Sequence, residues 1–297
     1  TNNTDLTTYG WVLTLGWRDM IGAFSYGARV SISDTRTRID RYPNPTNSLS
    51  KYIEGQFTGQ IWGYETVGIA QTNEEMNAHL ANNDQTALGS KWAAGDIMYK
   101  DLNGDGKVNS GSNTLEDHGD LKLLGNSSPR FRTGINLNAA WKGFDLTMFW
   151  QGVLKRDYFP TGMVFWGATS SGEWWSTSFT EHMDYWRTDS SNLGANTDNP
   201  YYPRPRFQGN NQQTQSRYMQ NAAYMRLKNL QLGYTLPKQL VKKVKMQSAR
   251  IYLSGENLLT ITSLRKVLDP ESVGIGNQGG TVYPLSRTYS AGINITF

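Results

Sequence analysis

The chain has 297 residues, a net charge of +4 and a pI near 9.1, and no run of Lys or Arg dense enough to track phosphates. It has no cysteine, which excludes disulfide scaffolds, cysteine-based zinc sites and thiol nucleophiles. No apolar run reaches the roughly 20 residues of a membrane helix, whereas the 12% aromatic residues and abundant glycine suit a turn-rich β-protein.

Seven segments alternate with period two, so that each places one apolar face opposite one polar face. In chain order they are residues 9–18, 24–33, 131–141, 144–150, 224–236, 249–262 and 289–297. The fifth segment changes register near Lys228 and Asn229, which predicts a β-bulge. The seventh ends on an aromatic residue, Phe297.

The links between these segments alternate in length. Residues 19–23, 142–143 and 237–248 are short links, whereas residues 35–129, 152–223 and 263–284 are long and rich in Gly, Asn, Ser, Trp and Tyr. Transmembrane β-barrels have short periplasmic turns, long extracellular loops and girdles of aromatic residues. Aromatic residues at predicted strand ends favour such a girdle: Trp11, Trp17, Trp141, Tyr234 and Phe297. The pattern predicts an antiparallel transmembrane barrel.

Seven strands do not close a bacterial single-chain barrel, which has an even number of at least eight. Unpaired edges in lipid are costly, so we expect residues 1–297 to be part of a longer barrel whose remaining strands lie outside this sequence. The N-terminus does not resemble a signal peptide. Two alternatives stay open: a soluble extracellular β-domain that binds glycans, and a secreted glycan-cleaving enzyme.

Several motifs, in order, resemble those of the SusC/RagA family of TonB-linked outer-membrane proteins. The first is Gly95-Asp96-Ile97, followed by the stretch 101–106, Leu124-Gly125-Asn126 and Pro129-Arg130-Phe131. The second group comprises the stretch 224–237, Ser254 to Leu258, Asp269-Pro270-Glu271, Tyr283-Pro284 and the ending 287–297. Weaker similarities lie at Gly63-Tyr64, Gly68-Ile69, His182 with Trp186, and Tyr202-Pro203-Arg204.

The resemblance implies a specific machine. The chain would be the C-terminal segment of a 22-stranded barrel, without the plug domain and the TonB-contacting segment of the family. The whole protein would be no enzyme; it would import oligosaccharides or peptides across the outer membrane of a Bacteroidetes-like Gram-negative cell. A SusD-like surface lipoprotein would act as its lid, and TonB with ExbB and ExbD would energise it through the missing N-terminal part.

Asp101, Asn103 and Asp105, with Gly106 at the turn, match the first half of an EF-hand-type calcium loop. Position twelve would be Ser112, which cannot supply a bidentate carboxylate. Family members often carry a carboxylate shortly before the stretch matching 121–126, so the ligand set predicted for structural Ca²⁺ is Asp101, Asn103, Asp105, the Lys107 carbonyl, Asp117 and Asp120. The alternative is an Asx-rich turn without a metal.

Aromatic residues of the second long link are the candidate substrate-binding residues, because flat rings stack on sugar faces. They are Trp166, Trp174, Trp175, Tyr185 and Trp186. The alternative is that they pack this link against its neighbours. Glu74 and Glu75 resemble a glycosidase pair, but Thr72 with Glu75 predicts a capping box that opens a short helix through about Leu80.

Overall fold

The computed structural model describes residues 3–167, 178–188, 193–207, 209–273 and 282–297. The strands in chain order are β1 Asp5–Ile21, β2 Phe24–Arg41, β3 Gln60–Tyr64, β4 Thr66–Ile69, β5 Ile97–Tyr99, β6 Leu121–Asn126, β7 Arg130–Trp141, β8 Phe144–Lys155, β9 Asp157–Tyr158, β10 Gln220–Asn221, β11 Tyr224–Thr235, β12 Ser248–Thr262 and β13 Thr288–Thr296. The α-helices are α1 Asn73–Leu80, α2 Met163–Trp166 and α3 Lys238–Lys242.

Seven of these strands form one antiparallel sheet in the order β1-β2-β7-β8-β11-β12-β13, so each pairs with the next long strand along the chain. All seven predicted segments are therefore confirmed. β1 and β2 extend beyond the prediction, and only residues 22–23 separate them. Trp11 consequently lies inside β1, not at its end as expected.

Local features of the sheet follow the sequence closely. The two-residue link between β7 and β8 has positive φ at both Lys142 (47°) and Gly143 (90°), which matches the twist of a hairpin. The predicted bulge is confirmed, since the register of β11 shifts between Leu227 and Asn229 against both β8 and β12. Both the turn and the bulge lie where the sequence placed them.

The apolar face of the sheet has no cover among the described residues. Leu15, Trp17, Tyr289 and Ile293 have exposed fractions of 63%, 65%, 74% and 63%. The three clusters of buried apolar side chains are built mainly from the long links and leave this face bare. A contiguous exposed apolar surface on this scale marks a contact face for another protein surface or a membrane. No helix in the described residues is long and apolar enough to cross a membrane.

The long links carry their own small structure. In residues 42–129, β3 pairs with β6, β4 pairs with β5, and α1 follows the Thr72 cap. Thr72 Oγ1 accepts from the Glu75 amide at 3.2 Å, and Glu75 Oε2 accepts from the Gln71 amide at 2.6 Å. The predicted helix and the Thr72 half of its capping box are thus confirmed, whereas the Glu75 side chain bonds the preceding amide, that of Gln71. The pairing of β3 to β6 was not predicted.

Candidate functional site in the long links

Asp96 joins the first long link to the second. Its side chain is fully buried, and Oδ1 accepts from Arg204 Nε at 2.7 Å and from Asn211 Nδ2 at 2.9 Å. Oδ2 accepts from Arg204 Nη2 and Arg206 Nη1, both at 2.7 Å, and from the Ala93 amide at 3.1 Å. Removing one partner of such a buried ion pair is costly. We call this cluster the Asp96 staple.

The staple brings together two motifs of the family resemblance that lie far apart in the sequence, Gly95-Asp96-Ile97 and Tyr202-Pro203-Arg204. Gly95, at φ +83°, lies under Trp186, where a Cβ atom would stand 2.4 Å from Cε3 of the indole. The Arg204 amide donates to the Gly95 carbonyl at 2.8 Å. The glycine therefore permits the close approach of the two links.

An aromatic cluster continues from the staple. Phe165, Trp166, Tyr202 and Tyr218 are buried, with ring centroids 5.0 Å apart for Trp166 and Tyr218 and 5.1 Å apart for Phe165 and Trp166. Burial raises the pKa of both Tyr202 and Tyr218 well above the usual value, so both phenols stay protonated. Tyr218 donates its hydroxyl to the Tyr201 carbonyl at 2.8 Å.

A cavity of about 260 Å³ opens beside this cluster. Two of the predicted substrate-binding residues, Trp166 and Tyr185, line it together with Arg204, Arg206 and Pro203. Trp186 is also buried, with 8% of its surface exposed, and packs against the staple. The other two predicted residues, Trp174 and Trp175, lie outside the described residues.

His182 also lines the cavity, and it is neutral at pH 7. Its Nδ1 accepts from the Phe179 amide at 2.9 Å, so Nε2 carries the proton and donates to the Val164 carbonyl at 3.1 Å. Burial lowers the pKa of the imidazole below its usual value. The charge of the cavity wall therefore comes from the guanidinium groups of Arg204 and Arg206, which share the single carboxylate of Asp96.

The predicted calcium loop is a series of Asx turns. Asp101 accepts from the Gly104 amide at 2.7 Å and the Gly106 amide at 2.8 Å. Asn103 Oδ1 accepts from the Asp105 amide at 3.0 Å, and Asp105 Oδ1 accepts from the Lys107 amide at 2.8 Å. Backbone amides thus already satisfy several of the predicted ligand oxygens.

The two later carboxylates of the predicted set behave differently. Asp120 is buried and reaches the loop, where Oδ1 accepts from the Leu102 amide at 2.6 Å and Oδ2 accepts from the Asn109 amide at 2.8 Å. Asp117 lies apart and binds the Ser112 amide at 2.9 Å and the Ser112 hydroxyl at 2.5 Å. Across the part of the chain that the structure describes, no three His, Cys, Asp or Glu side chains converge as a metal site.

We expect the Asp101 loop to loosen in acid. Partial desolvation opposes ionisation of Asp101, but the amides of Gly106 and Gly104 outweigh it and lower the pKa of the carboxyl. A lowered folded-state pKa stabilises the loop above the unfolded value of about 3.9, and this contribution is lost as pH falls through the folded-state pKa. Hydrogen exchange at Gly104 and Gly106 should accelerate below about pH 4, after correction for intrinsic rates. An unchanged acid profile in Asp101→Asn would contradict this assignment.

Two glycines with nearly equal φ, +83° at Gly95 and +77° at Gly104, allow a second prediction. It separates the cost of backbone strain from the cost of a steric clash with a neighbouring side chain. Alanine at either position pays for the left-handed backbone, about 1 kcal/mol. Only Gly95→Ala also meets Trp186, because nothing lies within 4 Å of the Cβ position at Gly104. Limited proteolysis should therefore cut the long links of Gly95→Ala faster than those of Gly104→Ala. Equal cleavage of the two variants would rule out the contact as the cause.

Comparison with known proteins identifies the chain's relatives. No family profile matches it. TonB-dependent receptor P3 of Formosa agariphila is 29% identical over 255 residues, 82% of this chain, and TonB-dependent receptor P26 of the same organism is 26% identical over 263 residues, 84% of this chain. The predicted resemblance to TonB-dependent receptors is confirmed. Both relatives are named as receptors rather than as enzymes, in agreement with the prediction.

Solved structures show the same fold. The RagAB peptide transporter matches with a TM-score of 0.67 at 21% identity, covering 100% of this chain and 30% of that chain. The open-open state of the RagAB peptide importer matches with a TM-score of 0.66 at 22% identity, covering 99% of this chain and 29% of that chain. The chain spans 22% and 23% of the length of the two TonB-dependent receptors.

Proposed function

We propose that this chain is part of the wall of a TonB-dependent β-barrel importer in the outer membrane. The exposed apolar face of the seven-stranded sheet carries the proposal. In a transmembrane barrel such a face contacts the hydrocarbon of the lipid bilayer. The short links and the folded long links lie at opposite ends of the strands, as periplasmic turns and extracellular loops do. In the complete 22-stranded barrel the polar face would line the lumen.

The cargo would be an oligosaccharide or a peptide that crosses without chemical change. The relatives are TonB-dependent receptors, which supports dependence on TonB, and RagAB is a peptide transporter, which supports a transported cargo. A SusD-like lipoprotein would cover the long links, and TonB with ExbB and ExbD would act on a part of the longer protein outside this sequence. Trp166, Tyr185 and Trp186, with Trp174 and Trp175, would contribute to cargo or lipoprotein contacts.

Fractionation of native membranes tests the proposed location. The full-length protein that contains this sequence should sediment with the outer membrane and stay monodisperse only in detergent. A protein that is monodisperse without detergent would instead be the soluble glycan-binding domain. Purification from native membranes should also retain a surface lipoprotein, and loss of the gene should abolish uptake of the cargo found with the complex. Hydrolysis of that cargo by the purified protein would contradict a transport role.

We keep structural Ca²⁺ as a proposal for the Asp101 loop. Its support is that Asp101 and Asp120 approach each other, which brings two of the predicted carboxylates together. Hydrogen exchange over residues 101–109 should slow when Ca²⁺ replaces a chelator, and Asp120→Asn should remove the difference. Identical exchange in Ca²⁺ and chelator would mean that the Asx turns hold the loop alone.

A further inference from the structure

Three arginines project from the polar face of β1, β2 and β7. Arg18, Arg29 and Arg132 share this face because side chains alternate along each strand. All three are exposed. Within the described residues none of the three forms an ion pair. These guanidinium groups are therefore available to an anion from outside the described chain.

The strand register arranges these side chains in a row. Arg18 lies opposite Gly27, Arg29 lies opposite Asn136, and Arg132 lies opposite Ser33. The six residue steps from Gly27 to Ser33 correspond to about 20 Å along β2. We call this row, from Arg18 through Arg29 to Arg132, the arginine track.

Two neighbouring grooves follow the track. One, of about 540 Å³, is lined by Arg18, Arg29, Asn136 and Asn138, together with Gly16, Trp17 and Ala28. The next, of about 440 Å³, continues toward the long links and is lined by residues that include Ser31, Ser33, Arg132, Gln151 and Arg156. Its one carboxylate, Glu271, is paired with Arg226 and Lys228. Amides and hydroxyls around the guanidinium groups suit a polar, hydrated ligand of extended shape.

Two other arginines of the same sheet are neutralised. Arg250 binds Asp145, with Nε 2.9 Å from Oδ1, and Arg226 binds Asp269 and Glu271, each at 2.9 Å. Carboxylates of β8 and of the third long link thus pair with the arginines of β11 and β12, whereas within the described residues none pairs with the track. A guanidinium recognises carboxylate and sulfate groups through its planar fork of donors.

We propose that the arginine track selects an anionic cargo, an oligomer that carries carboxylate or sulfate groups, and guides it along the lumen wall. This inference rests on the proposed function, because it requires the polar face to line the passage. The arginines lie at a solvated surface, so the binding free energy of each contact is small and is weakened by salt. Selection of an anionic cargo therefore depends on several contacts along the row.

Binding of fluorescent probes to the full-length protein in detergent tests the track. The anionic probes are an oligogalacturonate, a sulfated galactan oligomer and a Glu-rich octapeptide; the uncharged counterparts are a galactan oligomer and a Gln-rich octapeptide. The wild type should bind anionic probes more tightly, and the variant R18Q/R29Q/R132Q should weaken that binding about tenfold while leaving uncharged probes unchanged. The binding of anionic probes by this variant should also depend less on salt concentration than that of the wild type. Which anionic probe binds best distinguishes a glycan source from a peptide source.

The control is Arg38→Gln, an exposed arginine on β2 that is paired with Asp40 and lies off the track. The proposal is overturned if the wild type binds charged and uncharged probes equally well, or if it binds neither. So does an equal loss for both probe classes in the triple variant, which would mean that the track holds acidic side chains of the rest of the protein. Membrane fractionation reports on the proposed function separately, since a protein in the outer membrane can still lack this charge preference.

Discussion

Asp96→Asn should release the second long link from the first. The substitution leaves the guanidinium groups of Arg204 and Arg206, 29% and 10% exposed, without the buried carboxylate that they share. Breaking one side of a buried ion pair costs about 3–5 kcal/mol. Hydrogen exchange over residues 93–99 and 202–212 should therefore accelerate by a factor of about 100 or more.

Glu116→Gln is the matched control. Glu116 is an exposed carboxylate in the same link, with Asn47 as its side-chain partner at 2.7 Å. Its removal should change exchange by less than about twofold, because exposed polar contacts contribute little. Exchange in Asp96→Asn that matches the control would show that the staple does not hold the links together. The seven long strands should keep their protection in both variants, since they lie outside the staple.

The staple also shows where sequence reasoning stops. Its partners Asp96 and Arg204 are 108 residues apart, so no local spacing relates them. The motifs around both residues belong to one family pattern, yet the pattern does not indicate that they are in contact. The burial of Trp186 follows from the same contact between the links, and the sequence does not predict it either. These features depend on how two links fold against each other.

The long strands were predictable because one face of each differs chemically from the other. Period-two alternation reports that difference directly, and it located all seven strands, the bulge at β11 and the turn at Lys142 and Gly143. The signal fades in the second half of β2, residues 34–41, where Thr, Arg and Asp occupy both faces. β3 and β6 escaped prediction because they are short and pair across more than 50 residues.

The alternation itself leads to the other large prediction, a comparison of Leu15→Arg with Thr14→Arg. Leu15 is on the apolar face, 63% exposed and opposite Val30, whereas Thr14 is on the polar face opposite Ser31. If the apolar face meets lipid, an arginine near its middle costs about 2–4 kcal/mol, while an arginine facing the lumen stays hydrated. Leu15→Arg should therefore lower the amount of folded full-length protein in the outer membrane, and Thr14→Arg should not.

Urea unfolding in detergent or lipid gives the second readout for this pair. Adjacent positions on one strand share backbone geometry and distance from the turn, so the two variants differ mainly in what surrounds the new charge. Equal destabilisation would mean that β1 tolerates no arginine on either side, and greater loss in Thr14→Arg would place hydrocarbon or a packed core on the polar face. Either result would remove the basis for a lumen along Arg18, Arg29 and Arg132. A selective loss in Leu15→Arg would instead fix which side of the sheet faces the membrane.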